Sequence, residues 1–204
     1  MPNRLLITAE ILLVVVAPLL VLYLKGNWRL RTAVACLLAV PVLWYLTYAP
    51  LHESAHIAGT YLAGGSVADA RLIPRFWRGE FAVAWITPVG LVQPWQKLAM
   101  TSAPYVVDIA CLVGGMVVLR RRAPGNAFAF GLVFMLLCLR PAFDIVCESV
   151  AFFNGFRGDL YNMQAIVGAP ATWLFIVASL VVALLSILVV VRRHVGLRGH
   201  ERLR

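Results

Sequence analysis

Residues 33–49 read AVACLLAVPVLWYLTYA, and after Pro50 the chain continues LHESAHIAGTYLA to residue 63. The first part holds no charged side chain, and its length approaches the roughly 20 apolar residues that a helix needs to cross a bilayer core. The second part keeps a helical pattern but carries His52, Glu53 and His56. An apolar helix running into a cluster of ionisable groups points to a membrane protein with a functional site at the end of a span.

The rest of the chain agrees with lipid as the main solvent. Of 204 residues 62% are hydrophobic and 13% charged, with a mean hydropathy of +0.86. Soluble domains are about half apolar and a quarter charged. Further apolar runs cover residues 5–24, with Glu10 as the one charge, 98–119, 127–153 and 170–191. The fold class expected is therefore an all-α polytopic membrane protein of about five transmembrane helices, forming one integral domain over residues 1–204. Residues 154–169 are more polar and predict a short or re-entrant piece. The tail 192–204 is basic and is expected to fray, with His194 and His200 solvated.

Net charge is +9. Eleven of the 18 basic residues fall in short groups after the first, third and fifth runs, the pattern of cytoplasmic loops, against four (Arg71, Arg75, Arg78 and Lys97) in the 64–97 segment on the opposite side; the balance predicts a cytoplasmic C-terminus and an external N-terminus. A basic stripe with interleaved aromatics on a polar domain is missing, so nucleic acid is excluded as a partner. The four cysteines lie in apolar runs without a C-x-x-C spacing and read as small buried hydrophobes.

The insert 64–97 differs from the helical runs. Phe81, Val83 and Trp85 alternate with alanines, a strand period, while Pro74 and Gly79 punctuate the segment. A small hairpin with a strand over 80–86 is expected, offering Phe81, Val83 and Trp85 as substrate-binding positions by edge pairing.

His52-Glu53-Ser54-Ala55-His56 is an H-E-x-x-H motif. On a helix, positions four apart share a face, so both imidazoles can approach one zinc ion. Glu53 leaves about 100° away and can act as a general base beside the metal. Two histidines packed by chance is the bland alternative, but a Glu and two His in an apolar helix would be costly without a function. A catalytic zinc takes a third protein ligand. Position 62 is Leu, which excludes the soluble metzincin spacing. The acidic candidates are Asp69, Glu80, Asp108, Asp144, Glu148 and Asp159. Asp144 is expected to pair with Arg140 one turn before it, Glu148 could join that network, and Asp108 could support the site by hydrogen bonding. Asp159 opens a new helix after Gly158.

Leu51-His52-Glu53-Ser54-Ala55-His56 followed by Gly64-Gly65, Ala103-Pro104 with Asp108, and Asn154…Gly158-Asp159-Leu160 together resemble the site-2-protease family of intramembrane zinc metalloproteases. The resemblance covers residues 50–168, the implied metallopeptidase core. In this chain Ala replaces the first Gly of the family's Gly-Pro signature, and Gly precedes the Asp rather than following it. The resemblance implies His52, His56 and Asp159 as zinc ligands and Glu53 as the catalytic base. Asp144 and Glu148 are the alternative third ligands. It implies a membrane-embedded or juxtamembrane protein segment as substrate. The rival reading is a non-proteolytic membrane protein that keeps zinc for a structural or metal-handling role.

Overall fold

The computed structural model describes residues 2–26, 28–75, 78 and 84–201, with the backbone alone for 2–7 and 196–201. The chain forms α1 (Pro2–Lys25), α2 (Leu30–Leu62), β1 (Ser66–Arg71), β2 (Trp85–Val89), α3 (Pro94–Arg122), α4 (Ala127–Phe134), α5 (Arg140–Phe153), α6 (Asp159–Val167) and α7 (Ala169–Glu201). A π-helical turn, Met135–Leu139, joins α4 to α5. Five helices among the described residues are long and apolar enough to cross a membrane: α1, α2, α3, α4 running into α5, and α7. The chain is a multi-pass membrane protein of the expected class.

These helices bury unequal shares of their surface. In the span Ala127–Phe153, 61% of the apolar window is buried, against 17–33% in the other four. The α4–α5 rod is thus the central post, and α1, α2, α3 and α7 show much of their surface to lipid. Leu38, Leu62 and Leu174 are exposed accordingly. One buried cluster joins α1, α2 and α4 through Val21, Leu22, Cys36, Val40, Phe130 and Phe134. A second joins α3, α5, α6 and α7 through Tyr105, Leu112, Ile145, Leu160 and Ile176.

Two loops position the site. α2 ends at Ala63, and Gly64 takes φ +81°, a left-handed conformation that suits glycine. The Gln96 side chain then ties the start of α3 to the end of α2. Its Nε2 donates to the Ala63 carbonyl at 2.8 Å, and its Oε1 accepts from the Val92 and Gln93 amides. Between the two helices lies an antiparallel pair, β1 with β2, in register Ser66 to Val89 and Arg71 to Trp85. The expected hairpin is present, but its second strand is Trp85–Val89 rather than 80–86. Phe81 and Val83 lie outside the described residues, as does Glu80.

The basic tail also departs from expectation. α7 continues to Glu201 instead of fraying at Arg192. His194 is not solvated but 5% exposed: its Nδ1 donates to the Val190 carbonyl at 2.9 Å, and its ring packs on Phe130 with centroids 4.5 Å apart. Phe130 of α4 shelters the imidazole near the end of the fifth apolar helix, which local charge density alone does not reveal. The His200 side chain lies outside the described residues.

Arg140 is fully buried, and its partner is not Asp144, as the four-residue spacing suggested, but Asp108 of α3: Nη2 lies 2.5 Å from Oδ1. A charge buried in the bundle needs a counter-charge within reach, and the packing of α5 against α3 places Asp108 there. Replacing Asp108 by Leu strands the Arg140 charge and should destabilise the protein by about 3–5 kcal/mol. Asp108→Leu with Arg140→Met should recover most of that loss. Unfolding in mixed micelles would measure both, and equal stability of the single and double variants would contradict this account.

Candidate metal centre

The side chains of α2 at positions 44, 48, 52 and 56 follow one another at four-residue steps along one face: Trp44, Tyr48, His52 and His56. At the far end of this row the two imidazoles meet Asp159, the first residue of α6. His56 Nε2 lies 2.8 Å from Asp159 Oδ2, His52 Nε2 lies 3.2 Å from the same oxygen, and the two Nε2 atoms are 3.2 Å apart. A tetrahedral ion with bonds of about 2.0–2.1 Å separates its ligand atoms by roughly 3.3 Å. The three atoms form a triangle close to that size.

Each imidazole is fixed from behind. His52 Nδ1 lies 2.7 Å from Asp144 Oδ2, and His56 Nδ1 donates to the Met100 carbonyl at 2.9 Å. With each Nδ1 held by one of these acceptors, the two Nε2 atoms face one another and a carboxylate oxygen. Lone pairs converging from three sides repel unless protons or a cation lie between them. The donor set of two imidazoles and one carboxylate, each His oriented by an outer partner, suits zinc. Among the described residues this is the one group of three or more such side chains arranged to hold an ion.

The Met100 carbonyl owes its availability to Pro104. An α-helical carbonyl normally accepts from the amide four residues on, and proline has no amide hydrogen. Pro104 lies inside α3, so Met100 is left without that donor and His56 takes its place. Gly59 brings the two helices near enough. A methyl group there would lie 2.8 Å from Ala103 Cβ and 2.9 Å from the Ala99 carbonyl oxygen. The signal for both contacts was in the sequence, since Pro104 stands four residues after Met100 and Gly59 three after His56. What pairs them across two helices was not.

Asp159 stands outside the membrane-spanning helices. Burial pushes its carboxyl group up, but hydrogen bonds with His52 and His56 outweigh burial and hold it below the usual carboxylate range. Asp144 does not join the triangle. It serves His52 from the opposite nitrogen, so of the two leading acidic candidates one faces the ion position and the other supports a histidine. Glu148 also stays outside the group of three: its Oε2 accepts a long 3.4 Å hydrogen bond from the Tyr105 hydroxyl. Asp108 reaches Arg140 and not a histidine. Asp69 is turned to its own strand, where Oδ1 accepts from the Ala70 amide. Asn154 caps its own helix by donating to the Val150 carbonyl at 2.7 Å and is exposed.

The three atoms open onto a cavity of about 660 Å³. Glu53 lines it beside both histidines, with Glu148, Arg157 and Asn162 on another wall and Ala84, Trp85, Ile86 and Pro88 on the strand side. Of the three expected substrate-binding positions, Trp85 is at the cavity; the other two are the undescribed Phe81 and Val83.

No family model matches this chain, and neither a curated protein nor a solved structure matches it.

The Pro104 argument can be tested without any ion. Pro104→Ala returns an amide that competes for the Met100 carbonyl, so the His56 ring should lose its single tautomer. Nitrogen-15 NMR of histidine-labelled protein should show one His56 tautomer in wild type and a mixture in the variant. Identical spectra would remove Pro104 from the account of the site.

Proposed function

We propose that this protein is a membrane zinc metallopeptidase, with zinc held by His52, His56 and Asp159 and with Glu53 as general base. The observation that carries the reading is the convergence of His52 Nε2, His56 Nε2 and Asp159 Oδ2 at ligand spacing, with Glu53 lining the same cavity. The resemblance of residues 50–168 to the site-2-protease family supports it further. Zinc, when bound, supplies a Lewis acid that polarises a carbonyl and acidifies water.

The protein's own residues do the rest. Glu53 is half-buried and follows His52 in the helix, so its side chain leaves on a different bearing from the two ligands. It accepts a proton from the attacking water and returns it to the departing amine. Asp144 and the Met100 carbonyl hold the two rings so that neither turns as charge builds at the site. The substrate is a membrane-embedded or juxtamembrane segment in extended form, since a helix hides its peptide bonds. β2 pairs with β1 along one edge, and among the described residues no strand covers the other. Trp85 and Ile86 of that strand line the cavity, which suits pairing of an incoming segment along the free edge.

Purified protein should hold about one zinc per chain. Glu53→Gln should keep that zinc and the fold while lowering cleavage of membrane-segment substrates by about 10²–10⁴-fold. His56→Ala should lose the zinc. Asp144→Asn should weaken zinc binding by about 10–100-fold through the His52 ring. Cleavage undiminished in Glu53→Gln would refute the mechanism. A zinc-loaded wild type that cleaves no member of a broad panel would favour a metal-handling role.

The orientation proposed places the C-terminus in the cytoplasm and the N-terminus outside. Its support is the basic groups at the ends of α1, α3 and α7, which an odd number of spans puts on one face. Accessibility labelling of single cysteines placed in each tail should give opposite sides. Both tails on one side would overturn it.

A further inference from the structure

α1 contributes one carboxylate to the cavity that this chemistry does not use. Glu10 is the only charged side chain within residues 5–24 and lies in the membrane-spanning part of α1, yet it lines the cavity together with the two histidines. A carboxylate in such a place is costly and calls for a partner. Trp44 Nε1 donates to its Oε1 at 3.0 Å, but that donor is neutral. Among the described residues no lysine or arginine pairs with Glu10.

The walls next to it are aromatic. Trp44 stacks on Tyr48 with centroids 5.4 Å apart, and Phe143 of α5 meets both edge-on at 5.3 and 5.7 Å. Tyr48 and Phe143 line the cavity between Glu10 and the histidines. Aromatic surfaces leading to a carboxylate are the surroundings that stabilise an ammonium or guanidinium group. A neutral side chain there would leave Glu10 without a counter-charge, and an acidic one would be repelled. The cavity as a whole has the same bias, since Glu53, Asp144, Glu148 and Asp159 also line it and, among the described residues, Arg157 is its one guanidinium.

We propose that the Glu10 end of the cavity is a recess for a cationic side chain, lysine or arginine, of the polypeptide held at the metal centre; this rests on reading the site as one that receives a polypeptide. The row of α2 positions sets the register. Trp44 and His52 are eight residues apart, or about 12 Å along the helix. An extended segment rises about 3.3 Å per residue. A long cationic side chain two or three residues from the bond beside His52 would therefore reach Glu10.

Equilibrium binding tests the recess separately from hydrolysis. Fluorescent peptides of one sequence would carry lysine, norleucine or glutamate at each position in turn. Their affinity for the protein, in the Glu53→Gln background so that the peptides stay intact, would be read by anisotropy in nanodiscs of neutral phosphatidylcholine, which removes attraction of the peptide to anionic lipid. In one register the lysine peptide should bind about tenfold more tightly than norleucine. Glu10→Gln, which keeps an acceptor for Trp44, should abolish that advantage while leaving norleucine affinity unchanged. Glu10→Lys should transfer the preference to glutamate. No lysine advantage in any register, or one that survives in Glu10→Gln, overturns the proposal. Cleavage without a lysine preference would refute the recess alone; a lysine preference without cleavage would refute hydrolysis and leave the recess standing.

Discussion

At Gly59 the backbone of α2 lies against α3 at a separation no side chain would allow, with the Ala99 carbonyl oxygen 2.9 Å and Ala103 Cβ 2.8 Å from where a methyl group would sit. The candidate metal centre depends on this contact. One turn back along α2, it sets His56 within 2.9 Å of the Met100 carbonyl, the acceptor that Pro104 has released from its helix. Because His52 is four residues further back on the same face, fixing one ring also fixes the line along which the other approaches. A larger residue at position 59 would push α3 outward and separate His56 from its acceptor.

Lipid imposes a second condition on the same residues. Water is scarce in the bilayer core, so each polar side chain must find its partner within the protein. Arg140 finds Asp108, His52 finds Asp144 and Trp44 finds Glu10, each partner coming from a different helix. α2 has 33 residues and so is about 50 Å long, well beyond the roughly 30 Å of a hydrocarbon core. A helix of that length can be apolar where it meets lipid and still carry its ionisable residues near one end, which is how 33–49 and 50–62 differ in composition.

Much of this was legible in the sequence because it depends on local spacing. The five apolar helices follow from run length alone, and His52 and His56 share a face by the helix period. Asp159 at the start of α6 was readable from Gly158 and the change of composition before it. The misreadings concern partners that spacing does not determine. Arg140 and Asp144 are one turn apart, yet their partners are Asp108 and His52 on other helices. The basic-tail histidine His194 is buried because Phe130, 64 positions earlier, lies beside it. In each case the relative rotation of two helices decided the partner, and periodicity within one helix carries no information about that.

The π-helical turn at Met135–Leu139 shows how such a rotation is fixed. α4 must bury Phe130 and Phe134 against α1 and α2, whereas α5 must present Arg140 to α3 and Asp144 to His52. A π turn takes up one extra residue, so the helix beyond it is rotated by about 100° relative to an uninterrupted α-helix. Pro141 lies at the first turn of α5, where its missing amide hydrogen is tolerated. An apolar face and a polar face can then belong to one continuous transmembrane rod. The rod can satisfy the lipid-side core over its first half and the histidine cluster over its second, because the turn between them lets each half choose its own facing.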